Sequence, residues 1–237
     1  MVRNRIAHQI DREVDFVSEM QYFCCIIEIN TKLNYLTFRE QFFGQACVNI
    51  NQIYAFDQGF DRNNLSRWVQ KGLLIRLRQG YYTFSEYMGS SDHAYYFANR
   101  IYKPSYISLY SALSFYGIIP EAVAQITSVT GLKTGRFSNA FGEYTYRSVK
   151  EGVFFGYDHK EFGNAGTVLF AFAEKAIVDL LYLYPFYDTE DEMKSLRFDR
   201  DVLDDVLDME RLMIFTGICG EKALEKRIRL FVKVYGL

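Results

Sequence analysis

Residues 61–84, DRNNLSRWVQKGLLIRLRQGYYTF, change their hydrophobic period part-way along, and a glycine stands at each place where the chain must change direction. Apolar residues recurring near every 3.6 positions mark a helix and strict alternation marks a strand, so this segment is held to helix, stop, strand, turn, strand. Asp61 can accept bonds from the free amides of a first turn, which predicts a helix from Arg62 to Lys71 that stops at Gly72. At 100° per residue, Leu65, Trp68 and Val69 share one side of that helix, while Asn63, Ser66, Arg67 and Gln70 share the other. A two-residue turn at Gln79-Gly80, where glycine suits the positive φ required, makes a hairpin of the rest. Alternation then places Ile75, Leu77, Tyr82 and Phe84 on one face of the ribbon and Arg76, Arg78, Tyr81 and Thr83 on the other.

The polar helix face carries side chains that match base edges: a guanidinium suits the paired acceptors of guanine, an amide suits adenine, and serine adapts to either. Phosphate would repel carboxylates, and none occurs from Arg62 through Phe84. The plainer account is a solvated polar helix on any small domain. A readable helix followed by an arginine-bearing hairpin nevertheless matches a winged helix-turn-helix, in which the helix enters the major groove and the wing holds phosphate or minor groove. The preceding TFREQFF and NINQIYAFDQGF supply apolar stripes, Phe38, Phe42, Phe43 and Ile50, Ile53, Tyr54, able to cover Leu65, Trp68 and Val69. Helix, helix, helix and a two-stranded ribbon are thus expected from Tyr35 to Phe84.

The whole chain gives no such emphasis. Its 237 residues are 49% hydrophobic and 17% aromatic, enough for packed cores, and its net charge is -2 with a pI near 6.0. Attraction to a polyanion must therefore be local. Cys24, Cys25, Cys47 and Cys219 form no CxxC pair and read as buried free thiols of a reducing cytoplasm. The apolar stretch YFCCIIEI (22–29) falls far short of the roughly 20 residues a membrane span needs, and no basic leader precedes it, so a cytoplasmic protein is expected. Residues 1–33 read as an N-terminal extension with a helix-like charged start, and Met20 is a second potential first residue. SSD (90–92) reads as a seam, dividing a winged helix-turn-helix over 34–90 from a second domain over 91–237.

Beyond the seam, HAYYFANRIY and SYISLYSALSFYG have helical periods, whereas ITSVTGLKTGRFSN and GEYTYRSV are β-branched, aromatic and glycine-punctuated, as strands are. Leu109, Ala112 and Leu113 form one packing face of a helix ended by Gly117, with a turn at Pro120. RFSNAFGEYTYRSV reads as two strands about an Asn-Ala-Phe-Gly turn. In AEKAIVDLLYLYP, Ala176, Ile177, Leu180 and Leu181 are core candidates and Glu174 suits the first turn. The fold class is α+β: the winged helix, then a mixed α/β domain with a small sheet and packed helices. The tail divides by charge into an acidic 188–210, with Val202, Leu203, Val206 and Leu207 at helical spacing, and a basic amphipathic 221–237. Two solvated surface helices are the plain reading; a partner surface or a second phosphate contact is the sharper one.

Several separated motifs also resemble one family in its own order. NLSRWVQKGLLIRLRQGYYTF, YISLYSALSFYGIIPE, ITSVTGLKTGRFSNAFGEYTYRSV, FFGY and AEKAIVDLLYLYP are similar to those of the AbiEi-type antitoxins of abortive-infection toxin-antitoxin systems, over roughly Tyr35 to Pro185. Where that family's motif carries proline before Glu-Lys-Ala, this chain has Ala173. The resemblance implies an N-terminal winged helix that represses its own operon and a C-terminal domain that neutralises a nucleotidyltransferase-like toxin. It gives the operator-contacting role to Asn63, Ser66, Arg67, Gln70 and Lys71, with Arg76, Arg78 and Tyr81 of the wing, and the antitoxin role to residues 106–185. The implied partners are double-stranded DNA, as a homodimer or cooperating monomers, and the cognate toxin. Lys133, Arg136 and Arg147 are candidates for accessory DNA or partner contacts.

Catalytic patterns are not apparent. His8, His93 and His159 fall in no metal-ligand spacing, so neither a metal nor another cofactor is expected. YDHKEF (157–162) groups Asp158, His159 and Glu161, but reads best as a polar surface loop, since a strand would turn Asp158 and His159 to opposite faces. No phosphate loop, dinucleotide fingerprint or Gly-x-Ser-x-Gly elbow occurs. The expectation is a non-enzymatic repressor and antitoxin; the alternatives are a protein-interaction module on a winged-helix scaffold, or a solitary regulator without a toxin.

Overall fold

The computed structural model describes residues 33–89, 91–120 and 125–237; the N-terminal extension and its Cys24, Cys25 and His8 lie almost wholly outside the described residues. The chain is α+β. Its first part holds α1 (Tyr35–Phe42), β1 (Val48–Asn49), α2 (Ile50–Phe56), α3 (Asn63–Gln70), β2 (Leu74–Arg78) and β3 (Tyr81–Phe84). The Asn34 side chain caps α1 by accepting the Leu36 and Thr37 amides. Asn49 and Gln52 cap α2 reciprocally, satisfying donors that a short helix would otherwise leave free. β3 lies between β1 and β2 in an antiparallel sheet, so the expected two-stranded ribbon has a third strand. That strand, two residues between helices, is too short to leave a periodicity.

Phe38, Phe42, Ile53, Phe60, Leu65 and Trp68 meet Leu74, Tyr82 and Phe84 of the sheet in one hydrophobic cluster. Trp68 is its hub, with ring centroids 4.9 Å from Phe38, 5.5 Å from Tyr35 and 5.8 Å from Phe60.

The second cluster fills the remainder. Here lie α4 (Ser91–Ile101), β4 (Ser105–Ile107), α5 (Leu109–Phe115), β5 (Gln125–Thr130), β6 (Gly135–Asn139), β7 (Gly142–Ser148), β8 (Tyr157–Phe162), β9 (Gly166–Ala171) and α6 (Ala173–Leu183). The tail adds α7 (Glu190–Ser195), α8 (Arg200–Val206), α9 (Met209–Cys219) and α10 (Lys222–Tyr235). The strands form a mixed six-stranded sheet in the order β6-β7-β5-β4-β9-β8, with an antiparallel hairpin at each edge. α4 covers one face, where Tyr146 donates to the Ala98 carbonyl at 2.7 Å. α5 and α6 cover the other: Thr127 bonds Ser111 of α5, and Tyr106 donates to Asp179 of α6 at 2.9 Å.

The sheet is larger than expected for two reasons. SYI, which scans as the start of a helix, is the central strand β4; with Tyr106 and Ile107 buried completely, it shows no alternation, and the helix begins only at Leu109, whose φ of 56° makes the corner. YDHKEF is not a loop but the edge strand β8, where charged side chains discourage pairing with another chain. The hairpin at Asn139 to Gly142 and the Gly117 stop of α5 stand where the sequence placed them.

Ala176, Ile177, Leu180 and Leu181 are buried on α6 as expected, but so are Lys175 and Asp179. These two form an ion pair one helical turn apart, and Asp179 Oδ2 also accepts from Ser108 at 2.7 Å and Tyr106. The methylene stem of Lys175 packs on Gly156, where a Cβ would come within 2.8 Å of it. Glu174, expected to serve the helix dipole, is buried and accepts the Asp208 amide at 2.7 Å.

The tail's opposite charges answer one another. Lys233 of α10 reaches Glu190 of α7 at 2.7 Å, and Arg227 is buried with its Nε donating to the Leu181 carbonyl at 2.8 Å. Cys47 is buried, and desolvation pushes its thiol up to about 12; Cys219 is only half-buried, less than expected. His93 is buried against Tyr87 and Phe97, and burial lowers its pKa. No helix among the described residues is long and apolar enough to cross a membrane.

Candidate nucleic-acid interface

Asp61 Oδ1 accepts the Asn63 amide at 2.9 Å, and α3 runs from Asn63 to Gln70, one residue shorter at each end than expected. Leu65 and Trp68 turn inward; Asn63, Ser66, Arg67 and Gln70 are exposed, as is Lys71 just beyond. Gly72, with φ of 70°, ends the helix and admits the strand. Arg67 donates to Asn64 Oδ1 at 3.0 Å and lies 3.9 Å from Asp61. Exposed pairs of this kind are worth about 0–1 kcal/mol, so the guanidinium is easily released to another acceptor.

The ribbon departs from the expected alternation. Leu74 pairs with Phe84, Ile75 with Thr83, Arg76 with Tyr82 and Arg78 with Tyr81, and the register shifts between Arg76 and Arg78. The surplus residue, Leu77, breaks the period of two. Leu74 rather than Ile75 or Leu77 joins Tyr82 and Phe84 in the small cluster, while Leu77 enters the large one. Both faces of the ribbon therefore carry packed side chains, though Arg76 stays exposed, and Thr83, assigned to the outer face, is fully buried.

The two hairpin arginines separate accordingly. Arg76 is exposed and has no ionic partner among the described residues. Arg78 donates to the Ile101 carbonyl at 2.7 Å, and its guanidinium stands 4.2 Å from the Phe137 ring centroid and 4.9 Å from that of Tyr102. It satisfies a carbonyl at the end of α4, joining the first part of the chain to the second. Asn139 adds to this joint by donating to the Leu77 carbonyl at 3.0 Å. Tyr81 is half-buried beside the large cluster.

The hairpin turn is tethered as well, since the Ile50 amide donates to the Gly80 carbonyl at 2.8 Å. This contact brings the N-terminus of α2, the start of α3 and the turn around a shallow groove of about 490 Å³, lined by Tyr54, Arg62, Arg78, Gln79, Gly80 and Tyr81. Sequence reasoning did not single out Arg62, Tyr54 or Gln79 as site residues. Arg62 and Gln79 do fall in the carboxylate-free run; Tyr54 was assigned to packing, and only the folded turn brings it to the groove.

Lys133, Arg136 and Arg147 lie apart from that groove. Arg136 pairs with Glu143; Arg147 donates to the Tyr184 hydroxyl at 3.2 Å; both line a separate cavity of about 420 Å³ beside Gln125 and Thr145. Lys133 is exposed, its carbonyl accepting the Tyr102 hydroxyl at 2.7 Å. Asp158 and His159 occupy successive positions of β8, on opposite faces, and among the described residues no three His, Cys, Asp or Glu side chains come together as a metal site would require.

No protein-family model matches the chain, and no curated protein matches it significantly.

Proposed function

We propose that this chain is a non-catalytic, cytoplasmic repressor and antitoxin that binds the promoter of its own operon and counteracts a nucleotidyltransferase-like toxin. Residues 34–90 act as a winged helix-turn-helix and residues 91–237 as the antitoxin-type domain. In this reading α3 is the recognition helix and the β2–β3 hairpin the wing. One observation carries the DNA reading: α3 and the residue after it offer Asn63, Ser66, Arg67, Gln70 and Lys71 to solvent, where the only carboxylate near is Asp61 at the helix start, next to a groove bearing Arg62. Donors of these types can read base edges, while the nearby cations hold phosphate. Arg76 reaches the DNA backbone, and Arg78 holds the hairpin at its angle rather than contacting phosphate itself. The antitoxin role rests on the motif resemblance alone.

Binding of the full chain to a duplex from upstream of its own gene, against an unrelated duplex of equal length, tests the proposal. Arg67→Ala and Gln70→Ala should each erase about 1–3 kcal/mol of the difference, the worth of a good bidentate base contact. Equal discrimination by folded variants would contradict the assignment of the face. Rescue of cells expressing the neighbouring toxin by residues 91–237 alone would support a separable antitoxin domain.

The protein-interaction reading gains from a different feature. Met213, Ile214 and Ile218 are about half exposed on α9, an apolar strip well away from α3 in sequence.

A further inference from the structure

A second carboxylate-free run spans residues 93–120, and it contains Arg100 and Lys103. These two stand where α4 hands over to β4, and they line two adjoining cavities, one of about 390 Å³ and one of about 310 Å³. Gln45, Asn49, Gln52 and Tyr81 complete the first; Asn99, Ser105, His159 and Thr167 line the second. Neither cavity has an acidic side chain in its wall. Arg100 rests on the Tyr96 ring at 4.7 Å, and neither cation has an ionic partner among the described residues. Partial desolvation, and then the Arg100 charge, lowers the pKa of Lys103, although the residue as a whole is exposed.

The polar groups behind the cations are also unspent. Asn99 is nine-tenths buried; its Oδ1 accepts the Leu169 amide, which fixes the amide orientation and leaves Nδ2 as a donor without a partner. Ser105, buried completely, holds its Oγ without a partner as well. Buried donors are rarely left unmatched unless something else completes them. We propose that Arg100, Lys103, Asn99 and Ser105 form a phosphate-binding notch, whose oxyanion is supplied by a phosphorylated small molecule or by a nucleic-acid backbone. Tyr81 lines the adjoining 390 Å³ cavity and the groove by the hairpin turn, so Arg100 and Lys103 stand between the notch and the strand that carries the proposed wing. Only the nucleic-acid source rests on the DNA reading.

Calorimetric titration of the full chain with inorganic pyrophosphate, and separately with duplex DNA, tests the notch at fixed ionic strength. Arg100→Gln and Lys103→Gln should each weaken binding about tenfold or more, as loss of a charge-assisted contact does. Ser105→Ala should weaken it while leaving the melting temperature unchanged or higher, because the hydroxyl has no internal bond to lose; a structural serine would behave oppositely. Pyrophosphate binding that responds to these variants supports the small-molecule source. Duplex binding alone responding supports the backbone source. If neither ligand senses Arg100, Lys103 or Ser105, the notch is overturned, whereas Arg67→Ala affects duplex discrimination only and reports on the DNA reading separately.

Discussion

In the part of the chain that follows residue 90, many basic side chains are drawn to internal partners: Lys175 to Asp179, Arg227 to the Leu181 carbonyl, Arg147 to Tyr184, Lys233 to Glu190, Lys150 to Glu221. On α3 and the adjoining hairpin, Arg62, Lys71 and Arg76 have no ionic partner among the described residues, and Arg67 holds one long contact to Asp61. The difference lies in the supply of acceptors. Both parts contain arginine and lysine, but around α3 and the hairpin only Asp61 comes near them, and a surface whose cations are unanswered is the one prepared to meet an external anion. Net charge, at -2, conceals this completely.

The comparison is broken most severely inside α6. Asp179→Ala leaves Lys175 charged and fully buried without its partner, which should cost about 3–5 kcal/mol in urea unfolding. Replacing both together, Lys175→Met with Asp179→Leu, should recover most of that loss, since hydrophobic replacement of a buried pair is often nearly neutral. A small effect of the single change would mean that the interior does not depend on its cations being answered.

The two hairpin arginines give the next largest contrast. Arg78→Ala removes a charge-assisted bond to a carbonyl and two ring contacts, and should destabilise the chain by about 1.5–3 kcal/mol. Arg78→Lys should not restore it, because a compact ammonium cannot bond the carbonyl and stay close to both rings at once. Arg76→Ala should leave stability within about 0.5 kcal/mol, as exposed unpaired positions do, while making the logarithmic salt dependence of duplex binding shallower by about one. At the small end, Lys233→Ala on the surface pair with Glu190 should leave the urea unfolding midpoint close to the parent's, since exposed ion pairs contribute little.

Much of this was legible from local rules. The inward and outward faces of α3 follow from a period of 3.6 and one polar stripe, and the Gly72 and Gly117 stops follow from positive φ. The turns at Gln79-Gly80 and Ala140-Phe141 were also visible. What was hidden depended on neighbours distant in sequence. β4 has no alternation because both its faces are covered. Leu77 changes clusters because a bulge and a second body of protein meet at β2. Arg78 looks identical to Arg76 in the sequence, and only the end of α4 distinguishes them. The Lys175–Asp179 pair has the spacing of an ordinary surface pair; no local pattern records that Gly156 packs on the Lys175 stem or that Tyr106 and Ser108 bond Asp179.

The central claim is that local charge on α3, not the charge of the whole molecule, governs duplex binding. Ser66→Glu with Gln70→Glu lowers net charge by two, and so does Lys226→Glu on the exposed face of α10. Measured side by side on the upstream duplex, the α3 variant should lose about a hundredfold or more in affinity, since like charges across an interface cost several kcal/mol, and the α10 variant should stay close to the parent. Equal losses, or an α3 variant that binds as the parent does, would contradict the account.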